Sequence, residues 1–89
     1  MRVKDGGKIR RWRMQSHFSQ RELAFLVRRT QSTIYLIETG KLRTIKEDLG
    51  VAIAARLGVP WEDLFDAEEG DVLPPVAHAA HSMSQAILA

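Results

Sequence analysis

The sequence predicts an all-α domain of five short helices, with an additional helix near its C-terminal end. Three observations lead there. Apolar residues recur three and four apart along most of the chain, and no stretch shows the strict alternation of a half-buried strand. Two segments, Ser19-Gln20-Arg21-Glu22 and Thr44-Ile45-Lys46-Glu47, have the pattern of a capping box. Gly40, Gly58 and Pro60 stand where helices would stop or start.

The elements follow in order. Gly6 and Gly7 break the chain before a first helix over about Lys8–Ser16, with Ile9, Trp12 and Arg13 on one face and Phe18 as an apolar anchor behind it. The second helix opens at the Ser19 capping box, aligns Leu23, Ala24 and Val27, and ends at Arg28 and Arg29 without a glycine. Thr30 is an N-cap for the third, which runs through Glu38 with Ile34 and Ile37 inward, and Gly40 closes it. A fourth helix follows the Thr44 capping box, buries Leu49, Ile53 and Leu57, and stops at Gly58. Pro60 sits at the first position of a short fifth helix, which contributes Leu64 and Phe65 to the core. Residues 1–66 thus form one domain. The remainder, 67–89, reads as an acidic linker and a helical tail in which Val76, Ala80, Met83 and Ile87 recur at helical spacing.

Composition narrows the function. The 89-residue chain is 45% apolar, which suits a folded domain. It has no cysteine, so disulfides and thiolate metal sites are excluded. It has no stretch near the ~20 apolar residues a membrane span needs, and no signal-peptide pattern, so a cytoplasmic location is expected. The net charge of +2 conceals an asymmetry: residues 1–43 carry +8 and residues 44–89 carry −6. A basic half of this kind is what a polyanion-binding face requires, although an unevenly charged solvated surface gives the same count.

The spacing of the second and third helices is more specific. Two helices joined by a tight turn cross closely and need a small residue at the crossing, here Ala24. They also need apolar residues at fixed positions around it, here Leu23, Val27, Ile34 and Ile37. All five positions are filled. Taken with Ser-Gln-Arg-Glu-Leu-Ala over 19–24, Thr-Gln-Ser-Thr-Ile-Tyr-Leu-Ile-Glu-Thr-Gly over 30–40 and Ile-Ala-Ala-Arg-Leu-Gly-Val-Pro-Trp-Glu-Asp-Leu-Phe over 53–65, the chain resembles the XRE/Cro/C1-type helix-turn-helix family. The resemblance covers roughly residues 8–65 and implies a lambda-repressor-like fold.

It also implies roles. Gln31, Ser32, Tyr35 and Leu36 would face base edges, Gln31 suiting adenine and Leu36 a thymine methyl. Tyr35 could alternatively reach a phosphate, and Gln31 and Ser32 could be ordinary exposed residues. Gln20, Thr33, Lys41 and Arg43 would contact phosphates, Gln20 also bracing the third helix. Arg28 and Arg29 either join them or merely solubilise a loop. Arg13 and Glu38 would form a structural salt bridge. Two positions that are usually glycine in relatives are Arg28 and His17 here, and the loop after Gly40 is long and basic. Trp12 and Trp61 read as core rather than base-stacking residues. His78 and His81 form an H-x-x-H pair with no third ligand beside it, so no metal is expected. No serine, histidine or acid is spaced as a nucleophile with its base, so no enzyme and no cofactor is expected.

The expected function is sequence-specific binding of double-stranded DNA by a Cro- or repressor-like transcriptional regulator of phage or bacterial origin. No small-molecule ligand and no membrane association are expected. Helix 5 and the tail around Val72–Leu88 are the candidate homodimer surfaces, with a weakly binding monomer the alternative. Two other functions compete: an antitoxin whose tail binds a toxin, and an architectural factor of a phage integration or excision complex.

Overall fold

Asp5 starts the first helix. Its carboxylate accepts from the Gly7 amide at 2.9 Å, and α1 runs Gly6–Gln15. The computed structural model describes residues 1–68, 70 and 71, and its elements continue with α2 (Gln20–Leu26), α3 (Gln31–Glu38), α4 (Glu47–Leu57) and α5 (Trp61–Leu64). Gly6 and Gly7 therefore open the first helix rather than break the chain ahead of it. Gly6 is there for close approach: a Cβ at this position would strike the Ile37 carbonyl oxygen of α3.

The core is one cluster. Ile9 of α1, Leu23 of α2, Ile34 and Ile37 of α3, Ile53 of α4, Leu64 of α5 and Phe65 just after it are all essentially inaccessible to solvent. Ala24 and Val27 are buried beside them, so the five positions required for the α2–α3 crossing all face inward. Trp12, Phe18 and Trp61 are half-buried and pack on this cluster. Gly40 and Gly58 adopt φ of 79° and 69°, the left-handed geometry expected after α3 and α4.

Other sequence expectations need correction. The expectation of no strand fails: β1 (Arg2–Val3) pairs antiparallel with β2 (Phe65–Asp66), Arg2 opposite Asp66 and Val3 opposite Phe65. Two-residue strands are too short for alternation to register. Phe65 accordingly lies in the strand that follows α5 and not in the helix. The second capping box also fails. Thr44 is in an isolated bridge with Arg2, the flanking Arg43 and Ile45 bonded to Val3 and Met1, and Lys46 takes the N-cap of α4 without a side-chain bond. Pro60, expected inside helix 5, is its N-cap. The C-terminal helix expected around Val76–Ile87 lies outside the described residues.

β1 is held on both sides. Val3 N donates to the Arg43 carbonyl at 2.7 Å, Lys4 N to the Leu64 carbonyl at 3.0 Å, and Ile45 N to the Met1 carbonyl at 2.9 Å. The start of the chain is thereby locked between the segment leaving α3 and the segment leaving α5. Met1 is itself buried. Its ammonium donates to the Ile45 carbonyl at 3.0 Å and lies 3.2 Å from Glu68 Oε1 and 3.1 Å from Asp71 Oδ2.

Candidate nucleic-acid interface

The Ser19 capping box forms completely. Glu22 N donates to Ser19 Oγ at 3.0 Å, and Ser19 N donates to Glu22 Oε1 at 2.9 Å. That fixes where α2 begins and so where Gln20 stands. The turn to α3 is made by Arg28 at φ 57°, and His17 makes the preceding turn at φ 62°; both hold the left-handed conformation, which favours glycine. Thr30 then caps α3, its Oγ1 accepting from Thr33 N at 3.3 Å.

With Ile34, Ile37 and Glu38 turned inward, α3 presents Gln31, Ser32, Tyr35 and Leu36 outward. Tyr35 is 46% exposed and Leu36 37%. Thr33 is half-buried and its hydroxyl sits 3.1 Å from Thr30 Oγ1, so it belongs to the cap as well as to the rim. Exposed cations flank the helix at both ends: Arg28 and Arg29 before it, Lys41 and Arg43 after it. Lys41 Nζ lies 5.8 Å from the centre of the Tyr35 ring, a cation–π contact that spacing alone did not reveal. Arg29 pairs with Asp48 of α4 at 3.6 Å; an exposed pair of this kind holds by under about 1 kcal/mol and leaves the side chain free to exchange partners.

Beneath this face runs a polar chain. Arg13 Nε and Nη2 donate to Glu38 Oε2 and Oε1 at 2.7 and 3.1 Å, a bidentate pair with both residues buried. Arg13 Nη1 also holds the Phe18 carbonyl at 2.7 Å, which fixes the α1–α2 turn. Gln20 Nε2 donates to Glu38 Oε1 at 3.1 Å, and Gln31 Nε2 donates to Gln20 Oε1 at 3.4 Å. The chain joins α1, α3 and α2 and ends on the outward face of α3. The sequence supplied its members and the expectation that Gln20 braces the third helix, but not that it does so through Glu38. It also did not single out Phe25, which is 81% exposed on α2 and lines a shallow groove with Phe18 and Leu26.

A two-helix unit with an exposed polar and aromatic ridge between clusters of cations defines a helix-turn-helix DNA-binding module. The chain belongs to the helix-turn-helix family: the family profile matches residues 9–64, and the match is of the XRE type, a group of DNA-binding transcriptional regulators. Among solved structures, a complex of SinR protein and SinI protein is similar, with 22% identity and a TM-score of 0.64 over 92% of this chain and 77% of that one. At this identity the likeness speaks for the fold. No curated protein matches the sequence closely enough to count as a relative. Among the described residues no helix is long and apolar enough to cross a membrane.

Proposed function

We propose that this protein binds a specific double-stranded DNA site by laying α3 in the major groove, and that it regulates transcription in the manner of a small Cro-like repressor, by occupying the site. The observation that carries the reading is the outward set Gln31, Ser32, Tyr35 and Leu36 on a helix whose opposite side is sealed in the core. A major groove admits one α-helix, and these side chains suit its floor. Gln20, Arg28, Arg29, Thr33, Lys41 and Arg43 surround the ridge and would hold phosphates, which supply most of the affinity and make it salt-dependent. Bacterial or phage origin and a cytoplasmic location accompany this reading. Dimers on half-sites one helical turn apart are the expected arrangement.

Selection of bound duplexes from a random pool tests it. A recurring motif is expected, and a pool that stays random overturns the reading. On the selected site Gln31→Ala is expected to cost about 1–3 kcal/mol, with little loss on unrelated DNA. Arg43→Ala is expected to weaken both and lower the salt slope by about one.

A protein partner is the second reading, prompted by the similar structure being a complex of two proteins. Copurification of a defined small protein that binds the segment after residue 66 would favour it.

A further inference from the structure

Arg29, just ahead of α3, does not hang free in solvent. Its backbone N–H donates to the Ala24 carbonyl at 2.9 Å and its Nη1 to the Arg28 carbonyl at 3.1 Å, while Nη2 lies 3.6 Å from Asp48 Oδ2 in the first turn of α4. Asp48 is anchored as well: its Oδ1 accepts from the Leu49 amide at 2.8 Å, which leaves Oδ2 for the guanidinium. We infer that Asp48 occupies, in the free protein, the place on Arg29 that a DNA phosphate oxygen takes in the complex, and so acts as a brake on binding that is blind to sequence. The inference rests on the groove-binding reading above.

A carboxylate and a phosphate offer a guanidinium the same kind of partner, an anionic oxygen that accepts its N–H groups. The N–H groups of Nη2 that face Asp48 must give up this oxygen before they hold one from DNA. The exchange is cheap because the Asp48 side chain is 72% exposed and water screens the pair. An exposed pair of this kind lowers affinity by no more than about fivefold. Phosphate contacts position a protein on the duplex and carry no base information, so the loss falls on every sequence alike. Asp48 is thus a positioning residue that acts through Arg29 and reads no base.

The test is a double-mutant cycle on the full chain, with dissociation constants measured over a range of salt for the selected duplex and for an unrelated one. Asp48→Asn keeps an oxygen for the Leu49 amide and removes the charge. Asp48→Ser does the same with a smaller side chain and serves if the first variant is unstable. Thermal unfolding confirms that each variant is folded. Asp48→Asn is expected to tighten binding about two- to fivefold on both duplexes and to steepen the salt slope by up to about one. In an Arg29→Gln background the same change is expected to gain nothing. A gain that survives in that background overturns the inference, because Asp48 then acts by its own repulsion of DNA. No gain in the wild-type background, or a gain on the selected duplex alone, also overturns it and leaves groove binding by α3 standing. If the wild-type chain selects no duplex, the groove-binding reading falls and the inference falls with it.

Discussion

Arg28 and His17 hold a backbone conformation that costs an L-residue roughly 1–2 kcal/mol. The fold tolerates that cost at two turns, and at Arg28 it retains a cation beside α3. Arg28→Gly is expected to raise stability by about 1 kcal/mol while weakening DNA binding on every sequence alike. Thermal unfolding and fluorescence anisotropy measure the two effects, and unchanged affinity would remove Arg28 from the phosphate contacts. At Glu38 the expectation reverses. Glu38→Ala leaves the Arg13 guanidinium buried without its partner and is expected to cost about 3–5 kcal/mol, read by denaturant unfolding. The identities of these residues were legible in the sequence. The direction of their hydrogen bonds was not, because it depends on which side chains meet across three helices.

Each helix start shows how far local pattern reaches. The segments beginning at Ser19 and Thr44 look alike, yet only the first caps a helix, because Arg43 and Ile45, bonded to Val3 and Met1, hold the second alongside the start of the chain. Local propensity governs where nothing competes, and tertiary pairing overrides it where something does. Ser19→Ala is expected to cost about 0.5–2 kcal/mol, and Thr44→Ala far less, by the same unfolding measurement. The bonds from the Ser19 amide and hydroxyl hold the Glu22 carboxyl below its ordinary value of 4.5. Its contribution to stability is therefore present above that value and is lost as pH falls through the lower folded one. Glu22→Gln is expected to remove this part of the acid dependence, and an unaltered acid profile would contradict the pairing. Gly6 shows the opposite limit. It reads as a helix breaker, but its small size is what lets α1 approach the carbonyls ending α3.

For the whole molecule, the helical order and the α2–α3 crossing were readable because they rest on spacing within short windows. The sheet was not, because it pairs residues more than sixty positions apart through two-residue strands. That closure also creates a charge pair that responds to pH. Burial alone would lower the pKa of the Met1 amine, but hydrogen bonds and charge from Asp71 and Glu68 outweigh it and raise the value above 8.0. A raised folded value means that the stability it contributes is complete below pH 8.0 and is lost as pH climbs through the folded value. The unfolding midpoint is expected to decline over that alkaline window, and acetylation of the amine to abolish the decline; an identical alkaline profile after acetylation would exclude the pair. The ladder has a mechanical consequence too. Because Arg2 lies opposite Asp66, the flanks that leave β1 and β2 depart from the same end of the pairing. Tension applied across residues 1 and 67 would part these bonds one after another, as a zipper opens, instead of loading them together in shear. Residue 1 is also tied to Ile45 and Val3 to Arg43, so the same pull reaches the segment that leaves α3 as the β1–β2 pairing opens.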